Sequence, residues 1–62
     1  MKIERLIGIS GATLVVYRVD DYFEYEIAFW DGSLYQPQEI YETADKALSL
    51  GLESINIVIG YQ

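Results

Sequence analysis

From Lys2 to Trp30 apolar side chains recur at every second position, interrupted at Ser10-Gly11 and Asp20-Asp21 and closed by Asp31-Gly32. Turn signals spaced by about ten residues, with period-2 segments between them, are what an antiparallel meander requires. If each turn is a two-residue hairpin, Ile9 opposes Ala12, Ile7 opposes Leu14, Val19 opposes Tyr22 and Val16 opposes Tyr25. One face then collects Ile3, Arg5, Ile7, Ile9, Ala12, Leu14, Val16, Arg18, Phe23, Tyr25, Ile27, Phe29 and Leu34, apolar apart from two arginines near its ends. A one-residue slip at any turn would scramble that row, so it is the expected core face. The Asp-Gly pair suits a type I′ turn, which needs φ > 0 at both central residues, whereas Asp20-Asp21 lacks glycine and is compatible with a longer loop.

Pro37 removes a ladder donor and should end a short fourth strand at the sheet's edge. After it the period changes. Ala44, Ala47, Leu48, Gly51, Leu52, Ile55, Val58 and Ile59 recur at helical spacing, opposite Asp45, Lys46, Ser49, Glu53 and Asn56. Thr43 is the natural N-cap, with Asp45 in the first turn, although Lys46 stands where a capping box carries Glu or Gln. Gly51 has two readings. Either the helix ends there and the β-branched run Ile55-Asn56-Ile57-Val58-Ile59 forms a last strand, or the glycine lets a continuous helix approach the sheet closely. The unbroken 3.6 period favours the helix, to about Ile59. The expected fold is α+β: an antiparallel β-meander of three to four strands, with one C-terminal helix packed on one face, all in a single domain spanning 1–62.

The second face of the meander makes the functional expectation. Tyr22 to Trp30 packs five aromatic rings into nine residues, and they fall on both sides of one strand. Phe23, Tyr25, Ile27 and Phe29 belong to the core row; Tyr22, Glu24, Glu26, Ala28 and Trp30 to the other. With Leu6, Val15, Tyr17, Val19 and Tyr35 they form a face that a single helix leaves uncovered. Tyrosine and tryptophan are enriched at interfaces. The expected interaction surface is therefore Val15, Tyr17, Tyr22, Glu24, Glu26, Trp30 and Tyr35, and its simplest occupant is a second copy stacked about a twofold axis.

Composition narrows the alternatives. Sixty-two residues give a thin core, which association would supplement. The chain has no cysteine and no histidine, so it lacks the thiolate nucleophile, the usual neutral-pH base and the commonest transition-metal ligands. Gly8-Ile9-Ser10-Gly11-Ala12 has alanine where a nucleophile elbow carries its second glycine, and reads as a hairpin turn. Glu24 and Glu26 lie about 7 Å apart on one strand face, but no second carboxylate wall or oxygen-rich loop joins them for glycosidic or calcium chemistry. No catalytic residue, metal site or cofactor is expected, and the protein reads as non-enzymatic. A net charge of −6 opposes direct nucleic-acid binding. The scattered acids keep a hydrophobic domain in solution, or meet a basic partner. No window reaches the apolar length of a membrane span, and Glu4 and Arg5 interrupt any signal-like start, so a cytoplasmic location is expected.

The order of strands followed by Thr43-Ala44-Asp45-Lys46-Ala47-Leu48 resembles the small HicB-like antitoxin domains, in which a T-x-x-[DE]-A-[LI] helix opening follows a meander; here Lys46 stands at the acidic position. The resemblance covers about two-thirds of the chain. It implies the same fold, and as a second functional expectation an acidic antitoxin-like or inhibitory protein that binds a basic partner. Tyr41-x-Thr43-Ala44-x-x-Ala47-x-x-x-Gly51 is also similar to the helix of small uncharacterised bacterial proteins of this layout, a likeness that implies fold alone.

Overall fold

A computed structural model describes the backbone from 2 to 60 and side chains from 2 to 58. Strands β1 (Lys2–Ile9), β2 (Ala12–Val19), β3 (Tyr22–Phe29) and β4 (Leu34–Tyr35) form one antiparallel sheet in the order β1-β2-β3-β4, and helix α1 (Ala44–Gly60) crosses one face of it. The α+β meander is thus the fold, with four strands.

The first two turns are two-residue hairpins. Ser10 and Gly11 both have positive φ, 49° and 80°, the requirement of a type I′ turn, and they leave Ile9 opposite Ala12. Asp20 reaches φ 57° and joins Val19 directly to Tyr22 without the longer loop that its missing glycine suggested. Aspartate tolerates the left-handed region better than most residues. The Arg18 Nε donates to the Asp20 carbonyl at 2.9 Å and ties down the turn.

Two local insertions alter the expected register. A bulge between Ile3 and Arg5 leaves Arg5 opposite Val16 but sets Ile3 opposite Tyr17 and Lys2 opposite Arg18. Ile3 therefore moves from the expected core row to the opposite face, because one extra residue reverses side-chain parity. The third turn has three residues, not two. Gly32 N–H donates to the Phe29 carbonyl at 3.0 Å, Phe29 N–H donates to the Ser33 carbonyl at 2.9 Å, and Gly32 takes φ 89°. This is a type I turn closed by a glycine in the left-handed region. The extra residue puts Leu34 opposite Ala28 and Tyr35 opposite Ile27, exchanging the faces expected for these two.

Pro37 follows the two-residue β4, as its missing N–H requires. The chain then returns to the sheet at Tyr41, whose N–H and carbonyl each bond Phe23 at 2.8 Å. Thr43 caps the helix: its Oγ1 accepts the Lys46 N–H at 3.1 Å. The helix runs through Gly51 without a break, so residues 52–60 continue it. The core lies between α1 and the middle of the sheet, where Leu14, Val16, Ile27 and Ile55 are fully buried beside Ala47. Each such aliphatic side chain stabilises the fold by about 1.5–3 kcal/mol. Gly51 sets how deep the helix sits: a Cβ there would lie 2.6 Å from Leu14 Cδ1 and 3.3 Å from Tyr25 Cδ1. The close-approach reading of Gly51 is the one the fold uses. On the same side Arg5 pairs with Asp45 at 3.8 Å; both side chains are exposed, so the pair contributes little. The expected stripe residue Ile59 has a side chain outside the described residues.

Candidate interaction surface

The face of the sheet opposite α1 has no covering element among the described residues. Its side chains follow from the register. Val15 sits between Leu6 on β1 and Glu26 on β3; one step along, Thr13 lies between Gly8 and Ala28, and Ala28 adjoins Leu34. Leu6 and Leu34 are 65% and 67% exposed, large values for aliphatic side chains on a regular sheet. Ile3, displaced here by the bulge, is 59% exposed.

Of the residues expected to form the surface, Val15, Tyr17, Glu24 and Glu26 are brought together at its centre. Tyr17 is buried, only 7% exposed. Its hydroxyl accepts a hydrogen bond from Gln36 Nε2, so the ring lies over the sheet toward the chain that follows β4. It is a floor of the surface and not a protruding ring. Burial raises its phenol above the ordinary value and Glu24 adds to the rise; the Gln36 bond opposes it, and Glu26 contributes in the same direction as Glu24. Tyr17 therefore stays protonated at neutral pH between two half-buried carboxylates.

Tyr22 and Trp30 stand at opposite ends of β3, separated by roughly 26 Å at about 3.3 Å per residue. Trp30 belongs to the third turn and lies over Gly11 of the first: a Cβ on Gly11 would meet Trp30 Cβ at 3.7 Å and Cε3 at 3.8 Å. Phe29 meets its ring edge-on, with centroids 6.1 Å apart. The indole still leaves more than half its surface to solvent. Tyr22 and Trp30 thus stand at the two ends of β3, with Val15, Tyr17, Glu24 and Glu26 between them.

Tyr35, expected on this face, lies on the other. The three-residue turn places it on the helix side, where its ring tilts against Tyr25 at 6.4 Å. Leu34 takes the position expected for it. Sequence reasoning missed Leu34 and Ile3 because both sit beyond a parity change. The signal for the second change was available in Asp31-Gly32-Ser33: Asp31 Oδ1 accepts from Ser33 N–H at 2.9 Å and from Ser33 Oγ at 2.6 Å, an Asx-type closure that needs the serine just after the glycine. These bonds hold the Asp31 carboxyl below its usual value.

On the helix side, Tyr35 joins a cleft between α1 and the β3–β4 edge, with Tyr25, Tyr41, Glu39 and Glu53 in its walls. Among the described residues no group of three or more acidic side chains converges as a metal site would require. No described helix is long and apolar enough to cross a membrane. No protein-family model matches the chain, no curated protein matches it, and no solved structure matches it.

Proposed function

We propose that the protein is a small non-enzymatic interaction domain that associates through the uncovered face of its sheet, meeting a second copy about a twofold axis. The observation that carries this reading is that both departures from simple hairpin register place an aliphatic residue on that face, Ile3 through the bulge and Leu34 through the third turn. Neither residue gains burial within the chain. A cytoplasmic setting belongs to the same proposal.

The size of the surface sets the affinity. Three eight-residue strands and the two-residue β4 give a projected face of roughly 400 Å² per copy, from spacings of about 3.3 Å along and 4.8 Å across the strands. About 800 Å² in total falls below the roughly 1,200–2,000 Å² of stable specific interfaces, so only a weak, reversible dimer fits it. Each copy carries −6, so self-association works against repulsion and should strengthen as salt screens it. An acidic antitoxin-like or inhibitory protein bound to a basic partner, the alternative that the HicB-like helix opening supports, predicts the opposite salt dependence.

Light scattering across a concentration series at low and high salt tests the proposal. A dimer that tightens with salt, and is abolished by Leu6→Lys with Leu34→Lys, is the expected result. A wild-type monomer at millimolar concentration in high salt would overturn it.

A further inference from the structure

The uncovered face of the sheet is one-sided in charge. Glu24 lies opposite Tyr17 and Glu26 opposite Val15, so two half-buried carboxylates stand about 7 Å apart along the middle of the face. Burial raises the Tyr17 phenol, and the charges of Glu24 and Glu26 raise it further, so both act on its hydroxyl. Gln36 reaches that hydroxyl from the chain after β4 and brings no charge. On β1 the bulge inserts Glu4 beside Ile3, a third half-buried acidic residue at the border of the face. Leu34 is the contribution of β4, and Tyr22 adds a phenol beyond Glu24.

The four basic side chains of the protein are all elsewhere. Arg5 is opposite Val16, on the helix side, and pairs with Asp45 of α1 at 3.8 Å. Arg18 shares the row of Val16 and Tyr25, and its Nε donates to the Asp20 carbonyl at 2.9 Å. Lys2 is opposite Arg18 and so belongs to the same side, and Lys46 is on α1. The uncovered face therefore carries carboxylates and no cationic side chain.

A twofold axis through such a face brings its middle against the middle of the second copy. Glu24 and Glu26 of both copies then enter the layer from which stacked sheets exclude water. Ionised carboxylates without a cation oppose that closure twice, by lost hydration and by mutual repulsion. Salt screens the repulsion but does not restore the hydration. A proton relieves both, and the neutral carboxyl can donate a hydrogen bond to a facing carboxylate. The closed state thus binds more protons than the separated copies, and by linkage the dimer tightens as pH falls and loosens as pH rises.

We propose that Glu24 and Glu26 form a proton-operated switch on self-association, weakening the dimer at neutral pH and tightening it in mildly acidic solution. This inference rests on the face-to-face dimer proposed above and adds what regulates it.

The test is light scattering on dilution series at constant high salt, at pH 7.5 and at pH 5. Acidification should tighten the wild-type dimer at least tenfold. Glu24→Gln with Glu26→Gln imitates the protonated pair; at pH 7.5 it should dimerise at least tenfold more tightly than the wild type, and most of its pH response should be gone. Glu42→Gln with Glu53→Gln changes net charge equally at two exposed positions outside the face, and should stay within about twofold of the wild type at each pH. Equal tightening by the two pairs, or an undiminished pH response in the first, would overturn the switch and leave the dimer standing. The dimer fails separately: acidic association that survives Leu6→Lys with Leu34→Lys, or a wild type that is monomeric at both pH values, would overturn both.

Discussion

Gly51→Ala exchanges two opposing effects whose sizes follow from the geometry. In a helix interior, alanine gains about 1 kcal/mol over glycine. Here its methyl would lie 2.6 Å and 3.0 Å from the two Leu14 Cδ atoms and 3.3 Å from Tyr25 Cδ1. A leucine terminus yields easily when it has space, but Leu14 is fully buried among Ile27, Ile55 and Val16. Overpacking of this kind costs about 1–3 kcal/mol, so the net expectation is a loss of about 1 kcal/mol, or a melting temperature lowered by about 4–8 °C in a domain of this size. Leu14→Val removes both obstructing atoms and itself costs about 0.8 kcal/mol for the missing methylene. In that background Gly51→Ala should become stabilising by about 0.5 kcal/mol or more, because the helix gain survives and most of the obstruction is gone. Thermal and urea unfolding of the wild type and the three variants, followed by far-ultraviolet circular dichroism, completes the cycle. Stabilisation of the wild type by Gly51→Ala, or the same change in both backgrounds, would refute the docking of α1 at Gly51.

Other expectations follow from single features. Gly32→Ala meets no atom within 4 Å but keeps φ 89°, so its cost should be conformational alone, about 1–2 kcal/mol, and insensitive to any core substitution; a neutral effect in urea unfolding would argue against the three-residue turn. For Tyr41, the folded phenol titrates near 12 and the unfolded one near 10, so over that window the unfolded chain has lost a proton that the folded chain retains. Its contribution to stability is therefore complete below pH 10 and declines as pH rises toward 12, with the raised phenol of Tyr25 acting in the same sense. Urea unfolding between pH 9 and 12 should show this decline, and Tyr41→Phe should flatten it; an equally steep decline in the variant would contradict the assignment.

The sequence made the layout legible wherever local chemistry and periodicity acted together. Ser10-Gly11 chose its turn through two positive φ values, the alternating rows chose the core face, and the 3.6 period outweighed the β-branched run after Gly51. That last outcome has a packing reason: Ile55 is fully buried on the helix stripe, whereas Ile57, which a strand would place on the same face as Ile55, remains exposed. Parity arithmetic failed where a single residue was inserted. Nothing in Lys2-Ile3-Glu4-Arg5 marks a bulge, and Asp-Gly is compatible with both a two-residue and a three-residue turn, because glycine supplies positive φ in either. Each insertion reverses every side chain beyond it, which is why Ile3, Leu34 and Tyr35 changed faces while Val15, Glu24 and Glu26 did not. The tyrosine cleft was hidden for the same reason. Tyr35 joins Tyr25 only after the third turn gains its residue, and Tyr41 arrives through an isolated bridge to Phe23 that no period announces. Tyr17 shows a different limit: alternation gives the side of the sheet a ring leaves from, and Gln36 decides where it lies.

In the proposed dimer, one copy of the protein meets another through the uncovered sheet face. Isotope-filtered NOE spectroscopy on a mixture of labelled and unlabelled protein, at millimolar concentration and high salt, observes that contact directly. Intermolecular NOEs among Ile3, Leu6, Val15, Leu34 and Trp30 are predicted, with none from Ile57 or Val58 on the helix side. Intermolecular NOEs confined to the helix side would contradict the claim, as would a spectrum with none at all.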